Sequence, residues 1–587
     1  MVHSAVSDDM SLQKSSLQAE VMIVGAGPVG LTAALLLGRL GISALVVERN
    51  ASTSVHPRGH VVNARTMEIF RSLGLEDQVR AEGLSAERNQ GVAFLRRLSE
   101  PEIAVIRTRG VQERDDAHRM ASPSLKLSCP QDRLEPVLLA AAQRDPKITV
   151  MFSTELRSFD VSADGVTATC AAPDGEIRIS SRYLIGADGA RSLVREQCGI
   201  TMSGKGRIGR QIGIYFEADL WSFIKDRPYL LWWIYNASTC GVLIALDGRH
   251  RWTYNFAFDP GQESAADYTP ERCEDIIRSV LGSKNVDIRI RSILPWQMQA
   301  RLADSLRAGP VFLAGDAAHP LPPTGGQGMN TGICDVHNLT WKLALVLRGN
   351  APDSLLDSYD TERRPVARIN IDQSVENAIK MAELGLSGIA TAHSDIATEL
   401  DGPDPEAAEA HVRNVAPRLR EHFDYVGQTF GHHYINGALI PDGSPAPVFS
   451  IIDYEPTARP GHRAPHVWLR RNNDRVSTID LIDFGGFHLF ATLGHRDWCN
   501  EFEKWITANG LAGKAWAVGD AGDLTDPDGE FSRAYGIERG GVVLVRPDGH
   551  VGYRSKTPDV PPPDRIEAIM NAILKKQEWK SSNKSAA

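Results

Sequence analysis

An α/β fold is predicted for this 587-residue sequence, with a mainly antiparallel sheet set into it and a smaller α/β domain behind it. Three observations predict it. A short apolar run, Ala19–Val24, leads through a glycine cluster into the apolar segment Leu31–Leu40, the pattern of a buried strand, a tight turn and a helix. Residues 206–299 change to strand-like runs separated by turn signals. From Val476 onward, strand-like and helix-like runs alternate again. The chain is too long for one ordinary core, so two or three domains are expected.

The bulk properties exclude several classes. A formal net charge of −9, with no basic run interleaved with aromatics, argues against a nucleic-acid partner. Seven scattered cysteines include no CxxC pair, which fits reduced thiols in a cytoplasm and predicts neither a zinc site nor a disulfide framework. No metal site is expected. Residues 1–18 are polar and read as a flexible tail without an apolar signal core, so the first ordered element is expected near Ala19. Apolar runs such as Leu31–Leu37 are too short to span a bilayer.

In chain order, Gly25-Ala26-Gly27-Pro28-Val29-Gly30 is the first motif. Gly25 permits the tight turn, Gly27 lets a pyrophosphate approach the backbone, and Gly30 lets helix and strand pack closely; Pro28 and Val29 complete the loop. The helix N-terminus then faces the phosphates. A second strand, Ser43–Val47, ends in Glu48 with Arg49 beside it, where an acid can take ribose hydroxyls. This Rossmann-like unit does not by itself choose between NAD and FAD. A second strand-like run, Arg182–Ala187, ends in Gly186-Ala187-Asp188-Gly189-Ala190-Arg191-Ser192. A third, Val311–Ala314, ends in Gly315-Asp316, followed by a proline-stiffened turn and the cluster Gly325-Gly326-Gln327-Gly328-Met329-Asn330, which is expected to open a helix. That arrangement aims one carboxylate and a fan of backbone N–H groups at a single point.

As a set, these three motifs resemble the flavin-dependent aromatic hydroxylases, the single-component class A monooxygenases, and look closest to the branch acting on hydroxybiphenyls and chlorophenols. The similarity continues through Asp335, Asn338, Trp341-Lys342 and Tyr359 to Glu362-Arg363-Arg364-Pro365. The resemblance implies a p-hydroxybenzoate hydroxylase type of FAD-binding domain over 19–205 and 300–425. Asp316 would hold the FAD ribitol, Asp188 and Gly189 the cofactor and the transient nicotinamide, Gln131 the flavin chain and Arg58 the pyrophosphate. Gly326, Gly328, Met329 and Asn330 would lie at the flavin pyrimidine edge, with Pro323 and Met329 beside the ring and the substrate. The resemblance implies that NADH or NADPH would bind without a Rossmann domain of its own. The reaction implied is reduction of FAD, addition of O2 at flavin C4a, and transfer of the distal oxygen to an electron-rich ring.

The sheet expected over residues 206–299 would cover that site and exclude water. A phenol reacts best as its phenolate, so a nearby proton acceptor helps. His60 can act as one, because histidine titrates near neutrality; a loop histidine bound to a carbonyl is the plainer alternative. Tyr235 stands where the resemblance implies a contact with the substrate phenol, and Trp233 can line the pocket; both also read as core aromatics. Arg251 matches a family arginine that reaches the flavin. Leu246 and Gly248 stand where the benzoate branch carries carboxylate-binding groups. A neutral, rather apolar phenol is therefore expected, with a polycyclic polyketide or a non-catalytic flavin-bound ligand sensor as alternatives.

Behind this lie helices, among them Asn370–Leu384 and Pro405–Val415, then Pro-rich linkers and a domain over 426–580. Strands Val476–Ile482, His488–Thr492 and Gly541–Arg546, with helix Trp498–Asn509, predict a βαβ unit joined to a hairpin. The segments around Pro460–His466 and Val545–Arg554 resemble the thioredoxin-like tail of larger phenol hydroxylases. Without CxxC, packing is the expected role, Asp548-Gly549 reads as a hairpin turn, and a homodimer is expected.

Overall fold

A computed structural model describes residues 16–383, 385, 395–472, 474–537, 540–556 and 565–577. Of the expected tail, residues 1–15 lie outside the described residues; Ser16, Leu17 and Gln18 belong to the first strand, which runs Ser16–Val24 rather than starting near Ala19. It is longer because its polar first half pairs with the strand Gly175–Gly186, Ser16 opposite Arg178.

The central sheet places the strands Val311–Leu313, Gly175–Gly186, Ser16–Val24, Ala44–Val47 and Ile148–Met151 side by side, all parallel. Their central stretches, Val21–Val24, Ala44–Val47, Tyr183–Gly186 and Val311–Leu313, are buried, as strands covered on both faces must be. The helices Pro28–Arg39 and Gly328–Leu347 pack on each other and the sheet through Leu31, Leu35, Leu36, Ile333, Val336 and Leu339. Four sequence motifs leave the carboxyl ends of four adjacent strands: Gly315-Asp316, Ala187-Asp188, Gly25–Gly30 and Glu48 stand in that spatial order. An open parallel sheet binds its ligand along such an edge.

The second sheet has seven strands, Arg289–Ala303, Met202–Glu217, Arg251–Ala257, Thr239–Ala245, Leu231–Asn236, Gly91–Leu95 and Ala104–Arg107. The last two come from outside the expected 206–299 segment. One face packs Trp232, Ile234, Leu243, Trp252 and Phe256 against the helix Pro270–Leu281. That helix interrupts the strand-rich segment and carries its own signals: Thr269 caps it, Pro270 opens it and Gly282 ends it at φ 66°. The other face turns toward the nucleotide-binding domain and, at its far end, the helical segment 395–423.

The helix expected over Asn370–Leu384 is the second half of one 27-residue helix, Asp357–Glu383, that runs through Pro365. The C-terminal sheet, in the order Gly513–Val518, Phe487–Thr492, Val542–Val545, Val551–Ser555, has a parallel pair followed by an antiparallel hairpin. With the helices Arg496–Ala508 and Ile566–Ile573 this is a thioredoxin-like arrangement. The expected strand Val476–Ile482 is a correction: the strand ends at Ser477, whose hydroxyl accepts from Ile479 N and starts the short helix Thr478–Leu481.

The Asp548-Gly549 turn forms as expected and carries more than a turn. The Asp548 carboxylate is fully buried in an ionic network. Arg546 donates to both Glu362 oxygens and to Asp548; Lys342 Nζ lies 2.8 Å from Glu362, and Asn338 donates to both acids. Burial works to raise the Glu362 carboxyl, yet Arg546 and Lys342 overcome it and hold it at about 2. A parallel set, Arg65 and Arg463 on Glu68, ties the same domain to the helix Ala64–Ser72. Among the described residues no helix is long and apolar enough to cross a membrane.

Candidate active site

The edge of the central sheet forms one continuous groove. At one end Glu48 accepts from Ala26 N at 2.9 Å and from the Asn50 backbone and side chain, so its carboxylate is fixed against the Gly25–Gly30 loop. The glycines there answer to backbone contacts. A Cβ on Gly25 would sit 2.4 Å from Ala187 O, and one on Gly30 would sit 1.9 Å from Gly25 O. Gly30→Ala should therefore cost the upper end of about 1–3 kcal/mol in strain and open the turn; denaturation and flavin content of the purified protein measure both.

Gln131 donates to Glu135 at 2.6 Å, and Glu135 accepts from Ser54 N, which joins the helix Gln131–Arg144 to the loop preceding His60. Gly27 faces the same carboxylate. Asp188, whose carboxyl is raised by burial, accepts from Val194 N at 3.1 Å and among the described residues keeps Oδ1 without a hydrogen-bond partner; Gly189 follows at φ 83°. Arg49 and Arg58 are exposed, Arg58 within electrostatic reach of Glu135 and Asp316.

Asp316 lies mid-groove. Its side chain touches open space although protein surrounds it densely, and this desolvation raises its carboxyl against the pull of His319 and Arg58. Oδ1 points toward the start of the next helix, 3.8 Å from where a Gly328 Cβ would be. That helix begins at Gly328, not at Gly325 as expected, because Gly325 and Gly326 hold φ of 106° and 66°. Its N-cap, Gln327, makes no side-chain cap, so the first N–H groups are left for another acceptor. Asn330 ties this terminus to the loop after His60: Nδ2 donates to Val61 O and Gly326 O, and Oδ1 accepts from Asn63 N and Thr66 Oγ1. A Gly326 Cβ would strike Val61 Cβ at 2.7 Å. Behind Asp316, His319 and Arg363 bind the buried Asp335 at 2.6 and 2.9 Å, which fixes the Gly315 turn from below. Pro323 is exposed and Met329 half-buried on the groove side.

His60 is close to the Gly326–Asn330 turn through this packing. Its Nδ1 is 3.0 Å from Ser128 Oγ, and burial lowers its pKa to about 4. It is neutral at physiological pH and can accept a hydrogen bond, but it is a weaker base than a free histidine. Arg251 is ion-paired with Asp132, the first-turn acid of the helix after Gln131, and donates to Tyr215 Oη. Trp233 and Tyr235 are 1% and 0% exposed in an apolar cluster with Phe94, Val242, Leu400 and Val412. Burial raises the Tyr235 hydroxyl well above its usual range. Its surroundings are those of a core aromatic, not of a group facing open space. Two residues escaped the sequence reading. His56, in the loop after Glu48, bonds Ser292 Oγ at 2.7 Å, and Asn255 stands half-exposed at the centre of the sheet face above it. His-Pro in a loop was the available signal; its partner is too distant in sequence to be seen.

Several buried histidines share one consequence. Burial holds His60 and His466 at about 4, and His422, His432 and His462 at about 3, all below the unfolded value near 6.5. The unfolded chain therefore takes up protons that the fold refuses. Stability is expected to fall as pH drops from about 6.5 toward 3 and to be insensitive to these groups above 7. Urea midpoints across that range check this.

The groove thus offers a ribose acid, glycine-lined phosphate approach, a partly solvated mid-groove carboxylate and an uncapped helix terminus, in the order a dinucleotide such as FAD presents its parts. The fold and groove together define a flavin-binding α/β protein. The family described as FAD binding domain matches residues 18–374, and that described as aromatic-ring hydroxylase, C-terminal, matches 457–576. The chain is 37% identical to a putative polyketide hydroxylase of Streptomyces halstedii, over 94% of this chain and 96% of that one. It is 33% identical to 2,4-dichlorophenol 6-monooxygenase of Delftia acidovorans, over 96% and 100%. The solved flavin-dependent monooxygenase PieE, in complex with FAD and substrate, superposes with a TM-score of 0.86 at 32% identity, over 96% of this chain and 100% of that one. The chain belongs to the FAD-dependent aromatic-ring hydroxylases and is a monooxygenase of that family, with FAD as cofactor, NAD(P)H as reductant and O2 as co-substrate.

Proposed function

We propose that this monooxygenase hydroxylates a neutral, rather apolar phenolic ring. The observation that carries the reading is the pairing of Arg251 with Asp132. The arginine at the cofactor end of the substrate sheet is already compensated, and Leu246 and Gly248 supply no replacement cation. An anionic ring would pay desolvation there without a partner. A fused-ring phenolic polyketide is a second reading, supported by relatives such as the putative polyketide hydroxylase.

In this reading Glu48 and the Gly25–Gly30 loop hold the adenosine and pyrophosphate, Asp316 the ribitol, and the N–H groups at Gly328–Asn330 the pyrimidine edge of FAD. The cofactor, when bound, supplies the redox and oxygen chemistry. The chain's own contribution is to favour negative charge at the helix terminus, to keep water from the sheet face, and to orient the ring. His60, neutral and fixed by Ser128, takes the proton of the ring hydroxyl in the hydroxylation step rather than in binding. His60→Ala should slow hydroxylation at least about tenfold while leaving flavin reduction by NAD(P)H nearly unchanged; stopped-flow absorbance separates the two, and equal losses would remove His60 from this role. For the substrate class, neutral phenols, fused-ring phenols and hydroxybenzoates are compared by product formed per NAD(P)H oxidised. Preference for hydroxybenzoates would overturn the proposal.

A further inference from the structure

We infer that His56 and Asn255, set on either side of Gly213, form the polar recognition point for the hydroxyl of the substrate ring. This rests on the neutral-phenol reading above and adds the residues that read the oxygen.

Three elements bring the groups together. Gly213 and Asn255 are opposite each other on adjacent central strands, and Ser292 is opposite Tyr215 on the next strand. His56 comes from the loop that follows Glu48. A Cβ on Gly213 would sit 2.9 Å from Asn255 Oδ1 and 3.5 Å from His56 Nε2. Glycine therefore lets two polar side chains close over this point of the strand, one from the sheet and one from the loop after Glu48. His56 is 8% exposed, and its Nδ1 is engaged by Ser292. Among the described residues Nε2 has no hydrogen-bond partner, yet it is not enclosed by protein. Asn255 keeps partial exposure although it stands on a central strand.

The surroundings select the kind of oxygen. Tyr215 meets the His56 ring edge-on at 6.3 Å, its hydroxyl accepts from Arg251, and Arg251 is neutralised by Asp132. Burial, with Arg58 adding to it, opposes protonation of His56. With Nδ1–H given to Ser292, a neutral imidazole presents Nε2 as an acceptor, and the amide offers a donor beside it. A phenolic hydroxyl satisfies both. A methyl ether can use only the amide.

The test compares a neutral phenol with its methyl ether, each titrated into the FAD-loaded enzyme and read by the change in flavin absorbance. The wild type should bind the phenol roughly three- to tenfold more tightly than the ether, the weight of one neutral hydrogen bond. In His56→Ala that preference should fall to about one, with ether affinity within about twofold of wild type; His56→Gln should recover part of it. Asn255→Ala, which leaves the His56–Ser292 bond intact, should weaken both ligands similarly and carries the test if His56→Ala does not fold. An undiminished phenol preference in His56→Ala, or undiminished affinity for both ligands in Asn255→Ala, would overturn the inference. A wild type that binds no neutral phenol would instead overturn the proposed substrate class.

Discussion

Replacing Arg546 with methionine should destabilise the protein by about 3–5 kcal/mol. The guanidinium is fully buried and is the shared partner of Glu362 and Asp548. Its loss leaves two carboxylates in the interior with Lys342, Asn338, the His550 imidazole and backbone amides to compensate them. Attraction between a buried pair barely repays its desolvation, but an orphaned buried charge is costly, so removing one member is far worse than replacing the whole set. The exposed pair Arg39–Asp483 also spans the nucleotide-binding and C-terminal regions, yet Arg39→Ala should cost no more than about 1 kcal/mol. Denaturant midpoints of the two variants, measured together, give the contrast. Similar values would mean that the C-terminal domain is held by apolar packing and not by this network.

Asp316→Ala should weaken FAD binding roughly 10- to 100-fold, the range for hydrogen bonds to a charged acceptor. The variant should fold, because Asp316 contributes its carboxylate to the groove and not to the core, and its neighbours Ala314, Gly315 and Ala317 keep their packing. It should purify pale and regain colour only at high added FAD, which equilibrium titration of flavin fluorescence quantifies. Removing a carboxylate raised by desolvation also relieves the unliganded protein, so its thermal stability without FAD should equal or exceed that of the wild type. Unchanged FAD affinity would move the ribitol contact elsewhere.

The sequence discloses the groove better than the substrate site, for a physical reason. Gly25 and Gly30 are dictated by contacts within a few residues or with an adjacent strand end, so a local pattern reports them. Ser477 shows how a short range misleads: Val476–Ile482 reads as a strand-like run, but a capping hydroxyl turns it into a helix after two residues. Gly325 and Gly326 looked like a helix opening, and their positive φ values postpone it to Gly328. The strands Gly91–Leu95 and Ala104–Arg107 join a sheet whose other members lie far along the chain. Likewise the partners of Arg546, Arg251 and His56 are remote in sequence, and residue periodicity carries no record of charge pairing across domains. Tyr235 illustrates the converse. Its position in a motif pointed to the substrate, whereas the helices 395–423 that enclose it belong to a different part of the chain.

The most direct measurement is the ratio of hydroxylated product to NAD(P)H oxidised by the FAD-loaded enzyme, over a series of neutral phenols of increasing ring number and the matching hydroxybenzoates. The expected result is a ratio near one for at least one neutral phenol and a much lower ratio for every carboxylate. NAD(P)H oxidation that yields product only from the hydroxybenzoates would contradict the reading of the Arg251–Asp132 pair on which the account rests.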